Sequence, residues 1–282
     1  MKLNLTCNHI LVEALLMRVL PVRWVHELHT SFDIPKIRLY NAVSILVRQK
    51  KIVINKDITG ERLIFLTQKG YDCATKFVQI NYTFRTWNKD ASRIGTIFQE
   101  HHYMLFRFFL AYFNTNNAQE VRTDYDKYCQ FQYAYDSNLL IKPDGIIFPL
   151  NDTNLPICIE ADTGSMQQRL LFEKILRYLI FAHRNFAGYD IKILKVFISF
   201  KTKERINSIF NDKDNPYNLY RFFASNIYRF ELGYGMDYLY VDQVAELLES
   251  RRIIFYIGFY NDPLEKFKEP PFLQAINRFR MN

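Results

Sequence analysis

Apolar side chains recur at two spacings along this chain, one of about 3.6 residues and one of two, and together they predict its elements. The run His9–Leu20 is apolar except at Glu13 and Arg18 and predicts a buried helix that Pro21 ends. Val22–His29 allows a second short helix and Thr30–Asp33 a turn. Asp33 with Pro35 signals a helix start. Over residues 35–48, Leu39, Val43, Leu46 and Val47 fall at i, i+4, i+7 and i+8, one apolar stripe. Lys36, Arg38, Asn41, Ser44 and Arg48 lie mostly away from it. The β-type runs Lys50–Asn55 and Arg62–Leu66, separated by a loop containing Gly60, predict a hairpin. Thr67-Gln-Lys-Gly70 leads into a further helical stretch.

Residues 95–115 read as a mostly buried helix that opens a second domain. A strand-like run over 138–141 stops at Pro143-Asp144-Gly145 and resumes as the apolar strand Ile146–Phe148. Leu155–Gly164 is β-branched and carries Glu160 and Asp162. A long helix over 167–183 sets Leu170, Leu171, Lys174, Ile175 and Tyr178 along one face. Ile191–Phe200 and 252–259 predict strands, with a helix over Asp242–Ser250 between them. Pro270-Pro271 and Arg278-Phe-Arg280 belong to a tail with no clear role. Strands alternating with helices indicate an α/β or α+β domain over 95–282 behind a helical and hairpin domain over 1–82. There is no internal repeat and no low-complexity tract.

Composition narrows the function classes. Apolar residues make up 49% of 282, enough for a sizeable core and too many for a disordered chain. Only 9 glycines occur, no GxxxxGK[ST] is present, and Gly233-Tyr-Gly235 lacks a third glycine, so a phosphate-cradling glycine loop is not expected. Cys7, Cys73, Cys129 and Cys158 form no CxxC pair, which argues against zinc ribbons and dithiol redox motifs and predicts a reduced, cytoplasmic protein. No apolar run is long enough to span a bilayer, the N-terminal stretch makes a poor signal peptide, and no membrane partner is expected.

Charge is segregated. Residues 1–94 carry 15 Lys and Arg against 7 Asp and Glu, and this excess of +8 equals that of the whole chain. A basic module on a neutral body points to a polyanion: nucleic acid first, an acidic membrane surface second. Helix, helix, turn, helix, basic hairpin and Leu-Thr-x-Lys-Gly resemble a winged helix-turn-helix. A helix presenting Lys36, Arg38, Asn41 and Arg48 beyond a turn suits the major groove of double-stranded DNA at a specific site. Lys50, Lys51, Lys56 and Arg62 of the wing suit the phosphate backbone. Winged helices also serve as protein–protein modules. His26-Glu-Leu-His29 differs from HExxH because its histidines are i, i+3 rather than i, i+4.

The second domain carries candidate chemistry. Glu160 and Asp162, two residues apart on a strand, project from one face. With Asp144 on a neighbouring strand they form a three-carboxylate set suited to Mg²⁺ or Mn²⁺, able to activate water and stabilise charge on a scissile phosphate. Lys174, an ammonium inside an apolar stripe, is a fourth candidate. Singly, Asp144 also reads as a Pro-Asp-Gly turn residue, and Glu160 and Asp162 as strand-end acids, Asp162 capping the next helix. Lys201, Lys203 and Arg205 could line a DNA groove or begin a solvated helix. His101-His102 on a helix diverge by about 100° and make a poor chelating pair.

Pro143-Asp144, a strand and Glu160-x-x resemble the PD-(D/E)xK nuclease core. More narrowly, a winged helix followed by His101-His102, Lys-Pro-Asp-Gly, Ile-Glu-Ala-Asp-Thr-Gly and a Lys…Tyr helix resembles the replication-relaxation family, which includes the MobC-type plasmid relaxases. The resemblance implies a restriction-endonuclease-like mixed-sheet domain behind the winged helix. It further implies metal-dependent nicking at an origin of transfer or replication, with other relaxosome or coupling proteins as partners. Asp144 and Glu160 match the metal-binding acids. Asp162 stands where the general nuclease motif has lysine, although Glu160-x-Asp162 matches the relaxase subgroup. Lys174 is the candidate for the displaced lysine, Arg169 the second, and Glu100 a possible additional acid. A degenerate nuclease fold serving as a non-catalytic DNA-binding accessory protein or transcription regulator would carry the same pattern.

Overall fold

A computed structural model describes residues 5–25, 34–56, 60–78, 87, 96–115, 118–123, 131–132, 140–149, 156–183, 193–211, 218, 229–232 and 237–280. His26–His29, the turn Thr30–Asp33, Cys129 and Gly233-Tyr-Gly235 lie outside these residues. The protein is mixed α/β, with eight α-helices among the described residues. Its contacts divide it into two compact units, one of residues 1–116 with 121–129 and one of 117–120 with 130–282.

The first unit begins with α1 (Leu5–Met17), β1 (Leu20–Pro21) and a 3₁₀ turn (Val22–Trp24), followed by α2 (Lys36–Arg48), β2 (Ile52–Lys56), β3 (Arg62–Leu66) and α3 (Gln68–Ala74). The strands form an antiparallel sheet in the order β1-β3-β2. Its core joins Ile10, Leu11 and Leu15 to Leu39, Leu46, Leu63 and Phe65. The apolar run of α1 does not stay helical up to Pro21. The helix stops at Met17, Arg18 takes a left-handed φ of 62°, and Leu20-Pro21 pair with Leu63-Ile64. Sheet pairing satisfies this backbone better than one more helical turn ahead of a proline. On α2 the buried stripe is Leu39, Ala42, Val43 and Leu46, while Val47 is exposed.

The Leu-Thr-x-Lys-Gly sequence fastens the hairpin to α3. Thr67 donates its backbone N–H to the Lys51 carbonyl (3.0 Å), and its Oγ1 accepts from the Gly70 N–H (3.1 Å), capping the helix. Gly70 runs so close to the residue leading into β2 that a Cβ would lie 1.9 Å from the Lys51 carbonyl oxygen, so no other residue fits. Helix α4 (Thr96–Thr115) groups with this unit. Its Phe106 meets Trp24 edge-to-face and Arg107 lies over the same indole ring, 4.2 Å from its centre.

The larger sheet has the order β12-β9-β8-β7-β4, built from β4 (Ala118–Thr123), β7 (Gly145–Pro149), β8 (Ile157–Asp162), β9 (Leu194–Phe200) and β12 (Ile253–Phe259). It is mixed: β8, β9 and β12 run parallel and β7 antiparallel to β8. Every residue of β8 is buried, as expected of a central strand covered on both faces. The short pairs β5 (Phe131–Gln132) with β6 (Leu140–Ile141), and β10 (Arg229–Leu232) with β11 (Asp237–Tyr240), are antiparallel. The helices are α5 (Gln168–His183), α6 (Lys203–Ile206), α7 (Val241–Glu249) and α8 (Phe272–Arg280). Tyr178 of α5 and Phe272 of α8 both pack edge-to-face on Phe255 of β12, which fixes the layer of helices over one face of the sheet. The tail without an expected role thus supplies α8 and part of the core. Among the described residues, no helix is long and apolar enough to cross a membrane.

Candidate functional site

Strand register brings the acids to one face. Gly145 pairs with Ile159 across the antiparallel β7–β8 ladder, so Asp144, one residue earlier, comes opposite Glu160. Glu160 aligns with Ile198 and Asp162 with Phe200 on the parallel side. Both acids therefore face the helix layer, as their spacing on a strand predicts.

Helix α5 delivers the other two groups. Lys174 and Tyr178, four residues apart, stand one above the other on the same helix face. The Lys174 ammonium forms an ion pair with Glu160 Oε2 and lies 3.4 Å from Asp144 Oδ1. The Tyr178 hydroxyl donates a short hydrogen bond to Glu160 Oε1. Asp144 is held from its other side, since Oδ2 accepts from the Ala161 N–H at 2.8 Å. Asp144, Glu160, Lys174 and Tyr178 thus form one cluster. Glu160 is nearly sealed, with its side chain 4% exposed, whereas Asp144 (19%) and Lys174 (23%) reach solvent.

Burial sets the electrostatics. It pushes the Glu160 carboxyl up to about 8, against the attraction of Lys174. Burial also works against the Lys174 ammonium, but Glu160 and Asp144 outweigh it and hold its pKa above the ordinary lysine value. Tyr178 is raised well above its ordinary value by burial and by the adjacent Glu160.

Asp162 has other partners. Its Oδ1 accepts from the Gly164 N–H (2.8 Å) and its Oδ2 from Arg205 Nε (3.0 Å). Gly164 takes a left-handed φ of 88°, which closes this tight turn. Arg205 also donates to the Met166 carbonyl, so one guanidinium ties strand β8 to the loop before α5. A buried carboxylate needs such a partner, and Asp162 finds it in α6 rather than beside Asp144 and Glu160. Among the described residues no three His, Cys, Asp or Glu side chains are placed to hold one ion, so the three-carboxylate set is not assembled. With Glu160 deprotonated, the pair Asp144 and Glu160 offers the oxygen donors that suit a hard cation. Mg²⁺ is commonly bound by one or two carboxylates with water and phosphate oxygens, and here two such groups already converge on a positive charge, the Lys174 ammonium.

The remaining candidates separate. Arg169 is engaged by Glu173 one turn on (2.9 Å). Glu100, His101 and His102 sit on α4 in the first unit, where Arg18 meets His102 Nε2 at 3.3 Å. Lys203 lies over the Phe259 ring, 5.5 Å from its centre. The contribution of Arg205 to the Asp162 turn has no sequence signal, because the two residues are 43 apart with a strand between them. Tyr178, which the sequence pattern sets on the same helix face as Lys174, follows it by one helical turn and joins the cluster.

In the first unit, Lys36, Arg38, Asn41, Ser44 and Arg48 are exposed on α2, together with Ile37, Tyr40 and Val47. Lys50 is exposed in a left-handed turn (φ 55°), and Lys56 pairs with Arg62 at the loop end of the hairpin, both exposed. Lys51 is turned inward, its ammonium 3.3 Å from Cys73 Sγ, and is the least available of these cations.

No family model matches the chain, and neither a curated protein nor a solved structure matches it.

Proposed function

We propose that the protein is a metal-dependent DNA nickase whose first unit recognises a duplex site and whose second unit cleaves one phosphodiester. The observation that carries this reading is the convergence of Asp144, Glu160 and Lys174 on one face of a mixed sheet, with hydrogen bonds holding both carboxylates from behind. The two carboxylates match the acids that the PD-(D/E)xK resemblance implies, with Lys174 of the following helix in place of the strand lysine for which Asp162 stands. Asp144 and Glu160 would hold Mg²⁺ or Mn²⁺, which when bound supplies Lewis-acid stabilisation of a phosphate and a water of lowered pKa.

The chain's own groups supply the rest. The Ala161 N–H and the Tyr178 hydroxyl fix the two carboxylates before substrate arrives. The Lys174 side chain is 23% exposed, so its ammonium can turn from the carboxylates to the scissile phosphate and offset charge developing there. Asp162 and Arg205 are positioning residues that hold the end of β8 against the loop leading into α5. In the first unit, the β1-β3-β2 sheet with α1, α2 and α3 supports the winged-helix reading. Its exposed Lys36, Arg38, Asn41, Arg48, Lys50, Lys56 and Arg62 supply the chemistry for DNA contact. Origin recognition and relaxosome partners belong to this proposal.

The test is incubation of supercoiled plasmid bearing the DNA around this chain's own coding region with Mg²⁺ or Mn²⁺. Wild type should convert it to open circles. Asp144→Ala and Glu160→Ala should lose at least about 100-fold in rate while still binding DNA. Binding by wild type without cleavage under either metal would instead establish a DNA-binding accessory protein or regulator.

A further inference from the structure

Beside the carboxylate cluster a groove of about 320 Å³ opens between β6 and α5, and Lys174 belongs to both. Its floor is apolar, made by Ile141, Met166 and Leu170, the last 49% exposed although it is a leucine. Lys142 and Arg177 also line it. Neither has an ion-pair or hydrogen-bond partner among the described residues. Among the described residues the one acid of the lining, Glu173, is paired with Arg169 at 2.9 Å. The described lining therefore combines apolar side chains with a net positive charge, and it shares Lys174 with the carboxylate cluster.

We propose that this groove receives the base and sugar of one unpaired nucleotide adjoining the scissile phosphate, so that the strand must be single where it is cut. The inference rests on the nickase reading and adds its substrate form. Complementarity argues for this occupant. Nucleotides join an apolar, flat body to an anion, and here aliphatic side chains share one lining with two unpaired cations. Size agrees: the volume is at the lower end of the ~300–1,000 Å³ of small-ligand sites, room for one nucleotide and not for a paired duplex. Lys142 is two residues before Asp144, so a phosphate held by it stays next to the carboxylates.

The experiment uses the full chain, with Ca²⁺ in place of Mg²⁺ so that DNA stays intact. Fluorescence anisotropy follows binding of a labelled single-stranded oligothymidylate and of a hairpin duplex. Leu170→Asp and the double change Lys142→Glu with Arg177→Glu should weaken oligothymidylate binding by at least about tenfold and leave duplex binding within about twofold. Lys36→Ala with Arg38→Ala should do the reverse. Leu170 and Lys142 are exposed, and circular dichroism should show all variants folded. Unchanged oligothymidylate binding by both groove variants would overturn the proposal. Groove-dependent binding by a chain that cleaves no DNA would support the single-strand site while removing the nickase reading.

Discussion

At Glu160 a carboxyl group is nearly sealed from water, and its surroundings decide where its proton resides. Its folded pKa of about 8 lies above the ordinary 4.5, so the folded state keeps a proton that the unfolded chain releases between these values. The resulting stabilisation is complete below about pH 4.5 and is lost as pH climbs toward 8. Urea unfolding in a metal chelator should show wild-type stability falling by on the order of 1 kcal/mol per pH unit from pH 5 to 8, and Glu160→Gln should flatten that fall. Equal slopes in the two proteins would mean that Glu160 is ionised throughout. Strand alternation is a local rule and makes Glu160 and Asp162 legible as neighbours on one face, whereas the meeting of Asp144 with Glu160 depends on the register between β7 and β8. The fate of Asp162 is not legible in the sequence: its partner Arg205 is fixed by how β9 returns alongside β8.

Elements show the same division between local rules and long-range contacts. The stripe of α2, the hairpin of β2 and β3 and the helix α5 follow from periodicity, and each is found within a residue or two of its expected bounds. The end of α1 does not, because whether Val19 and Leu20 stay helical depends on strand β3, more than forty residues away. Two close passages give predictions at this scale. Gly70→Ala should cost about 3 kcal/mol or more, since the clash is with the Lys51 carbonyl rather than a movable side chain; a loss under about 1 kcal/mol in urea unfolding would show that α3 can shift away. Lys50 sits in a left-handed conformation that glycine adopts freely. Lys50→Gly should therefore raise stability by about 0.5–1 kcal/mol. If Lys50 contacts a phosphate, the same change should make the log–log salt dependence of duplex binding shallower by about 0.9. An unchanged salt slope would take Lys50 out of the interface.

Across the whole molecule, the charge excess lies in residues 1–94 and the carboxylate cluster in the second compact unit. The DNA binding and metal-dependent cleavage we propose should be separable by mutation. Lys36→Ala with Arg38→Ala should weaken duplex binding and reduce its salt slope by about 1.8, without altering metal affinity. Asp144→Asn and Glu160→Gln should abolish the proposed divalent-cation binding and leave duplex binding intact. The mixed α/β character is legible in the alternation of strand and helix patterns. The division into units is not: α4 reads as the start of the second domain, yet its contacts with Trp24 and Arg18 group it with the first. The account stands or falls on whether Asp144 and Glu160 together bind a divalent cation. Electron paramagnetic resonance titration with Mn²⁺ measures this directly. Wild type should bind Mn²⁺, Asp144→Asn and Glu160→Gln should each lose it, and Asp162→Asn should keep it. Binding that survives both of the first two changes, or no binding by wild type, would contradict the account.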